Sequence, residues 1–195
     1  MPSSMIHLAL GMEIDPHAPT IFYIGCLAPD CIEERAFKDR HHFRNCSDRE
    51  LSLNMFGKSL DLSDPFQYAV LLHLYADMKW DESTSTEFRK DFYKDNIFAF
   101  REYRKEIGII GNHLYHTMPW APSLWKDMSA FPVEKIPNIH DFPPEEIHTF
   151  ITRQGRWHAE NTTGPSAIFT DKFIKRFLHE TTKGYWSWLQ KRVLK

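Results

Sequence analysis

The residues best suited to chemistry lie in Leu71-Leu72-His73-Leu74-Tyr75-Ala76-Asp77-Met78-Lys79-Trp80-Asp81. His73, Asp77 and Asp81 are spaced four apart, so on a helix they stack along one side. Their frame is apolar, and a buried imidazole above a buried carboxylate is costly unless a partner offsets it. A metal ion is a common partner. Other polar residues interrupt apolar surroundings in the same way: His7, Asp30 after Ala28-Pro29, and the His41-His42 pair. Taken singly, each has an ordinary explanation, either a hydrogen-bonded core histidine or a turn-capping aspartate. Together they supply the nitrogen and oxygen donors that suit zinc and related first-row metals, and paired carboxylates can bridge cations.

These residues need elements to position them. Asp64-Pro65 opens a helix, because Asp can cap and Pro suits the first turn; the apolar helix formers over 66–80 make it a buried one. Ser3 or Ser4 can cap a short helix carrying His7. Residues 20–28 are apolar and either a strand or a buried helix, which periodicity alone does not decide. They end in a turn that projects Asp30. A polar linker is expected at 81–86, and a long amphipathic helix over 87–109, from the spacing of Phe88, Phe92, Tyr93, Ile97, Phe100 and Tyr103. Residues 46–57 are expected to be loop with one short amphipathic piece, and 128–144 a proline-rich surface loop. A helix opens at Pro144, residues 154–164 are expected to be loop, and a last helix runs from about 170 to 193. The expectation is an all-α, single-domain fold over 1–195, with its metal site between helices.

Bulk composition excludes several classes. The chain has 195 residues, 42% hydrophobic and 26% charged, which describes an ordinary globular protein. A formal net charge of -2 gives no electrostatic footprint for nucleic acid or an anionic membrane, so no stable nucleic-acid complex is expected. Cys26, Cys31 and Cys46 form no CxxC and are odd in number, which argues against a disulfide framework and for a reducing cytoplasm. No secretory signal and no apolar stretch long enough to span a bilayer is apparent. The 11 histidines raise the expectation of a metal or acid–base site without locating it.

Ile6-His7-Leu8, Gly25-Cys26-Leu27-Ala28-Pro29-Asp30, Lys38-x-x-His41-His42-Phe43 and His73-Leu74-Tyr75-Ala76-Asp77-Met78-Lys79-Trp80 follow one another in an order that resembles the zinc-dependent phospholipase C family. The small bacterial cytoplasmic branch is the nearer likeness, and the zinc single-strand nucleases are related to it. The likeness covers residues 1 to about 82. It implies an all-α fold with one to three zinc ions, or another divalent metal, between helices. By motif position it implies His7, Asp30, His42, His73 and Asp77 as ligands. His42 is preferred to His41 because the family ligand directly precedes Phe. Asp81 lies near the place of a further family histidine and joins the set on that ground. Secreted members also use a processed N-terminal amine, a contact not expected from a chain headed by Met1. The family's later His and Glu have no clear counterpart, with His113 and His116 as candidates.

The chemistry so implied is metal-assisted hydrolysis of a phosphate ester in a small phosphorylated compound or lipid headgroup, with Asp30 orienting or deprotonating the attacking water. Lys38, Arg40 or Arg44 could hold the phosphate, or be solvated and paired with Asp39. Trp80 and Tyr75 could wall the pocket, or pack in the core. Two alternatives stand beside this expectation. One is a phosphohydrolase of nucleotides or nucleic acid; the other is a helical metal-binding protein without catalysis.

Overall fold

A computed structural model describes residues 1–94, 97–139 and 141–194. The fold is all-α apart from one two-stranded hairpin. In chain order come α1 (Ser4–Ile14), α2 (Thr20–Gly25), a 3-10 turn (Ala28–Asp30), α3 (Arg35–His41), α4 (Arg49–Lys58) and α5 (Pro65–Thr86). Then follow α6 (Arg89–Phe92), β1 (Tyr93–Lys94), β2 (Ile97–Phe98), α7 (Phe100–Thr117) and α8 (Ala121–Ser129). After a second 3-10 turn (Val133–Lys135), α9 (Pro144–Glu160) and α10 (Asp171–Trp188) close the chain, with a π turn at Leu189–Val193.

Helix α5 is the hub. The Asp64 side chain accepts hydrogen bonds from the amides of Phe66 at 2.8 Å and Gln67 at 3.1 Å, and Pro65 occupies the first turn. From Val70 to Met78 every residue of α5 is buried, as expected of a helix apolar on all sides. Helix α2 lies along it, while α1, α4 and α10 pack around the same axis. The ambiguous segment at 20–28 is helical over Thr20–Gly25, as α2, and not a strand. Gly25 sits at the closest approach: a Cβ there would stand 2.5 Å from the Phe66 carbonyl oxygen and 2.9 Å from the Ala69 Cβ. Gly25→Ala should therefore cost about 1–3 kcal/mol through forced separation of α2 and α5, read as a lowered urea midpoint. A neutral substitution would mean that the two helices do not cross this closely.

Several expected boundaries move. α5 continues through the segment expected to be a linker, because its hydroxyls bond back to the helix. Thr84 Oγ1 donates to the Asp81 carbonyl at 3.3 Å, Ser85 Oγ to that of Glu82 at 3.0 Å, and Thr86 Oγ1 to Glu82 at 2.9 Å. The long helix expected at 87–109 is broken into α6, a hairpin pairing Tyr93 with Phe98, and the start of α7. The break turns Phe92 and Phe98 onto Tyr103, with ring centroids 5.2 and 5.3 Å away. α4 occupies most of the segment expected as loop at 46–57, its first turn capped by Asp48 at 2.8 Å. α9 extends to Glu160, through most of the loop expected at 154–164. Ser3 is the N-cap of α1 by backbone conformation, yet its hydroxyl makes no capping bond.

The cysteines are unpaired, Cys26 and Cys31 buried and Cys46 exposed. Among the described residues, no helix is long and apolar enough to cross a membrane.

Candidate metal centre

Five of the singled-out side chains converge where α1, α3 and α5 meet the 3-10 turn. His7 comes from the middle of α1, Asp30 from the end of the turn, and His42 from the C-cap of α3. His73 and Asp77 come from successive turns of α5. All five are buried, and His42 and Asp77 are sealed completely at 0% exposure. Their donor atoms form two overlapping triads, His7/Asp30/His73 and His42/His73/Asp77, each within a 4.8 Å span.

Hydrogen bonding fixes which nitrogens are free. His73 Nδ1 lies 2.7 Å from the Cys26 carbonyl oxygen, and His42 Nδ1 lies 2.8 Å from that of Lys38. A carbonyl oxygen only accepts, so each Nδ1 carries its proton and each Nε2 presents a lone pair. Those two Nε2 atoms stand 3.2 Å apart. Lone pairs at that distance repel unless a cation lies against both. A shared proton is a poor candidate, because burial above all, with His7 beside it, pushes His73 down to about 3. Burial lowers His42 as well.

The remaining atoms point the same way. His7 stacks on His73 at 3.8 Å with rings 12° from parallel, and its Nε2 is 3.3 Å from Asp77 Oδ1. Neither His7 nitrogen, nor Asp30 Oδ1 nor Asp77 Oδ1, makes a well-formed hydrogen bond among the described residues; their polar contacts are His7 Nε2 to Asp77 Oδ1 and Lys38 Nζ to Asp30 Oδ1, each at 3.3 Å. Each such buried polar atom costs about 1–3 kcal/mol if left unsatisfied. Neutral imidazoles and ionised carboxylates with converging free lone pairs are the donor set a divalent cation takes. These buried groups could hold a metal ion.

Cations already flank the carboxylates. Arg44 reaches Asp77 Oδ2 at 2.7 Å, and Lys38 Nζ lies 3.3 Å from Asp30 Oδ1. Burial works to raise the Asp30 pKa, but positive charge beside it, the Lys38 ammonium foremost, holds the group below the ordinary carboxylate range. Asp81 stands apart from the triads. It pairs with Arg49 at 2.8 Å, with Arg44 at 3.2 Å and with the Met1 ammonium at 3.4 Å. His41 faces away, its Nδ1 donating to the Phe37 carbonyl at 2.9 Å and its Nε2 3.5 Å from Asp141. His113 and His116 sit near the end of α7, engaged with Asp171 at 3.1 Å and with the Asn161 carbonyl at 2.7 Å, outside the cluster. Arg40 stands over the Phe37 ring. Trp80 and Tyr75 are core residues, the first against Phe169 and Phe177 and the second against Tyr185 and Trp188.

Asp30 and Lys38 also line a cavity of about 350 Å³, whose far wall is formed by Arg104, Trp157 and His158. On sequence, Arg104 falls within the amphipathic helix expected at 87–109 and His158 within the loop expected at 154–164. The signal for His158 is its place in line with Ile147 and Ile151 on α9, three and two turns back. Burial first, and then His116, lowers His158 to about 4. An unfolded histidine titrates near ~6.5, so as pH falls from there the unfolded chain takes up a proton that the folded chain refuses. The stability this contributes is complete above pH ~6.5 and falls by about 3 kcal/mol towards pH 4 from His158 alone, with His73 acting in the same direction. Metal-free protein should therefore show a clearly lower urea midpoint at pH 4 than at pH 7. Equal midpoints would mean that these imidazoles are not held neutral.

Comparison with known family models, with curated proteins and with solved structures returns no significant match.

Proposed function

We propose that this chain is a metal-dependent hydrolase of phosphate esters, working with zinc in the manner of the zinc-dependent phospholipases C. The observation that carries this reading is the pair of Nε2 lone pairs facing each other at 3.2 Å beside two buried carboxylates. Charge supports an anionic substrate. Asp30 and Asp77 already have Lys38 and Arg44 beside them, so a divalent ion added to this set leaves an excess of positive charge, which suits an anionic phosphate ester. With its Nδ1 held by Cys26, His73 has one nitrogen to offer, so it serves a single ion, either with His7 and Asp30 or with His42 and Asp77.

A bound zinc ion supplies Lewis-acid stabilisation of phosphate oxygens and makes water more acidic. The protein's own groups do the rest. Asp30 is the one member of the cluster that also lines the cavity, so it is placed to accept a hydrogen bond from the attacking water. Its depressed pKa keeps it ionised at neutral pH, which suits orienting the water better than storing its proton. Lys38, 3.3 Å from Asp30, lies within reach of a phosphate oxygen in the same cavity. Arg44 holds Asp77 in place, and the Cys26 and Lys38 carbonyls fix the tautomers of His73 and His42. The three unpaired cysteines accord with a reducing, cytoplasmic setting.

A second reading, a helical protein that binds metal or only a charge network without catalysis, is favoured by one observation: both carboxylates already have cationic partners. A panel of chromogenic phosphomonoesters and phosphodiesters separates the two. Hydrolysis is expected from zinc-loaded protein, abolished by a chelator, restored by zinc, and lowered about a hundredfold by Asp30→Asn. If zinc-loaded protein hydrolyses no ester in the panel, the catalytic reading fails and the second stands.

A further inference from the structure

Large apolar side chains reach solvent at several separate points, but at one place they gather. Ile97 is 72% exposed, Phe100 54% and Phe98 37%, on the second strand of the hairpin and the first residue of α7. The hairpin pairs Tyr93 with Phe98 and Lys94 with Ile97, and opposed residues of an antiparallel pair share a face. Phe98 therefore lies with Tyr93, their rings 5.1 Å apart, and meets Tyr103 at 5.3 Å on the side packed against the core. Lys94 and Ile97 share the opposite face, and both are exposed. On α7, Arg101 adjoins Phe100, and Arg104 follows one turn later on the same side. Lys94, Arg101, Arg104 and Lys105 are all exposed, and none of them makes an ion pair among the described residues. Residues 89–106 hold six Lys and Arg against four Asp and Glu, whereas the whole chain holds 24 against 26. The overall charge of -2 thus hides a local positive excess around the apolar cluster.

We propose that the hairpin and the first turn of α7 form a docking surface for an anionic lipid bilayer, with Ile97 and Phe100 entering the headgroup boundary and Lys94, Arg101 and Arg104 meeting lipid phosphates. Attachment of this kind grows with the apolar area buried and with attraction to anionic lipid, and here both are offered side by side. Long cationic side chains suit the boundary, because their stems lie along apolar surface while their charged ends stay at the phosphates. A second copy of the chain is a poorer occupant. A twofold contact through this face would set the same cations against one another with no matching anions. The larger cavity, about 870 Å³, lies beside the surface. Phe98, Phe100 and Arg104 line it together with Lys38, the ammonium next to Asp30. A docked bilayer would bring its headgroups to that cavity. Docking goes beyond the hydrolase reading and needs no turnover.

The test is sedimentation of the full-length protein with vesicles, of phosphatidylcholine alone and of an equimolar phosphatidylcholine–phosphatidylglycerol mixture. The mixed vesicles should bind at least about tenfold more tightly, and high salt should narrow the difference. Ile97→Ser with Phe100→Ser should weaken that binding about tenfold or more. Lys94→Gln with Arg101→Gln should weaken it by a similar factor and remove most of the preference for anionic lipid. All four side chains are exposed, so the core stays intact in both variants. Leu51→Ser with Met55→Ser takes a comparably exposed apolar pair from α4 and should leave vesicle binding unchanged. Asp30→Asn should also dock as the native protein does, which separates docking from hydrolysis. Three results would each overturn the proposal: no sedimentation with the mixed vesicles, an equal loss in the α4 variant, or a dimer in solution that Ile97→Ser with Phe100→Ser dissociates. Absence of docking in protein that still hydrolyses soluble esters would remove this proposal and leave the catalytic one standing.

Discussion

His73→Ala should weaken zinc binding by a factor of about a hundred or more and take with it essentially all phosphoesterase activity. His73 belongs to both donor triads, and its Nε2 faces that of His42 at 3.2 Å. Removing it leaves His7 and Asp30 in one triad and His42 and Asp77 in the other, and two protein ligands seldom hold a zinc ion against competing water. The loss should come without unfolding, because the apolar residues around it, Leu72 and Leu74, still bury α5. Asp81→Ala is the contrasting case. Asp81 is engaged by Arg49 and Arg44 and lies outside both triads, so zinc affinity should change by less than about tenfold. If His73→Ala binds zinc as the native protein does, the donors have been misassigned.

Trp80→Ala should cost about 3–5 kcal/mol of folding stability, the largest single loss expected in the core. Trp80 is fully buried, and its ring meets Phe169 at 5.2 Å, Phe173 at 5.6 Å and Phe177 at 5.0 Å. It thereby fastens α5 to α10. Its Nε1 donates to the Tyr103 hydroxyl at 2.7 Å, a buried bond that also ties α5 to α7. Trp80→Phe keeps most of the ring area and loses that bond, so it should cost about 1–2 kcal/mol. The two variants differ by the area term alone. A loss below about 1 kcal/mol in Trp80→Ala, by urea titration, would place the ring at a solvent-filled pocket rather than in a packed core.

What could be read from the sequence follows from the physics of each signal. His73 and Asp77 were legible because a polar pair one turn apart inside an apolar run is costly, and α5 keeps both buried. Asp64-Pro65 was legible because capping is local, and both capping bonds are present. The extension of α5 to Thr86 was not. Ser and Thr side chains compete with the backbone in turns, yet here they satisfy helix carbonyls from within. The hairpin between α6 and α7 was also hidden, since Phe92, Phe98 and Tyr103 keep near-helical spacing while tertiary packing decides otherwise. The second half of the site was the greater omission. Arg104 and His158 line the cavity from α7 and α9, and although His158 falls on the apolar line of α9, nothing local says that it meets α7. Ser3, which with Ser4 offers a cap, takes the N-cap position of α1, but its hydroxyl makes no capping bond and is buried without a partner among the described residues.

On the proposed assignment, the facing lone pairs of His42 and His73, with Asp77, form a cation site. The most direct test is zinc titration of metal-stripped protein against a competing chelator, with metal content confirmed by elemental analysis. The native chain should bind at least about one equivalent with a Kd well below about 1 µM, and affinity should fall as protons compete for the imidazoles in acid. Native protein that takes up no zinc, manganese, iron or nickel at micromolar concentrations would contradict the account at its root. The cluster would then be a charge network closed by Arg44 and Lys38 alone.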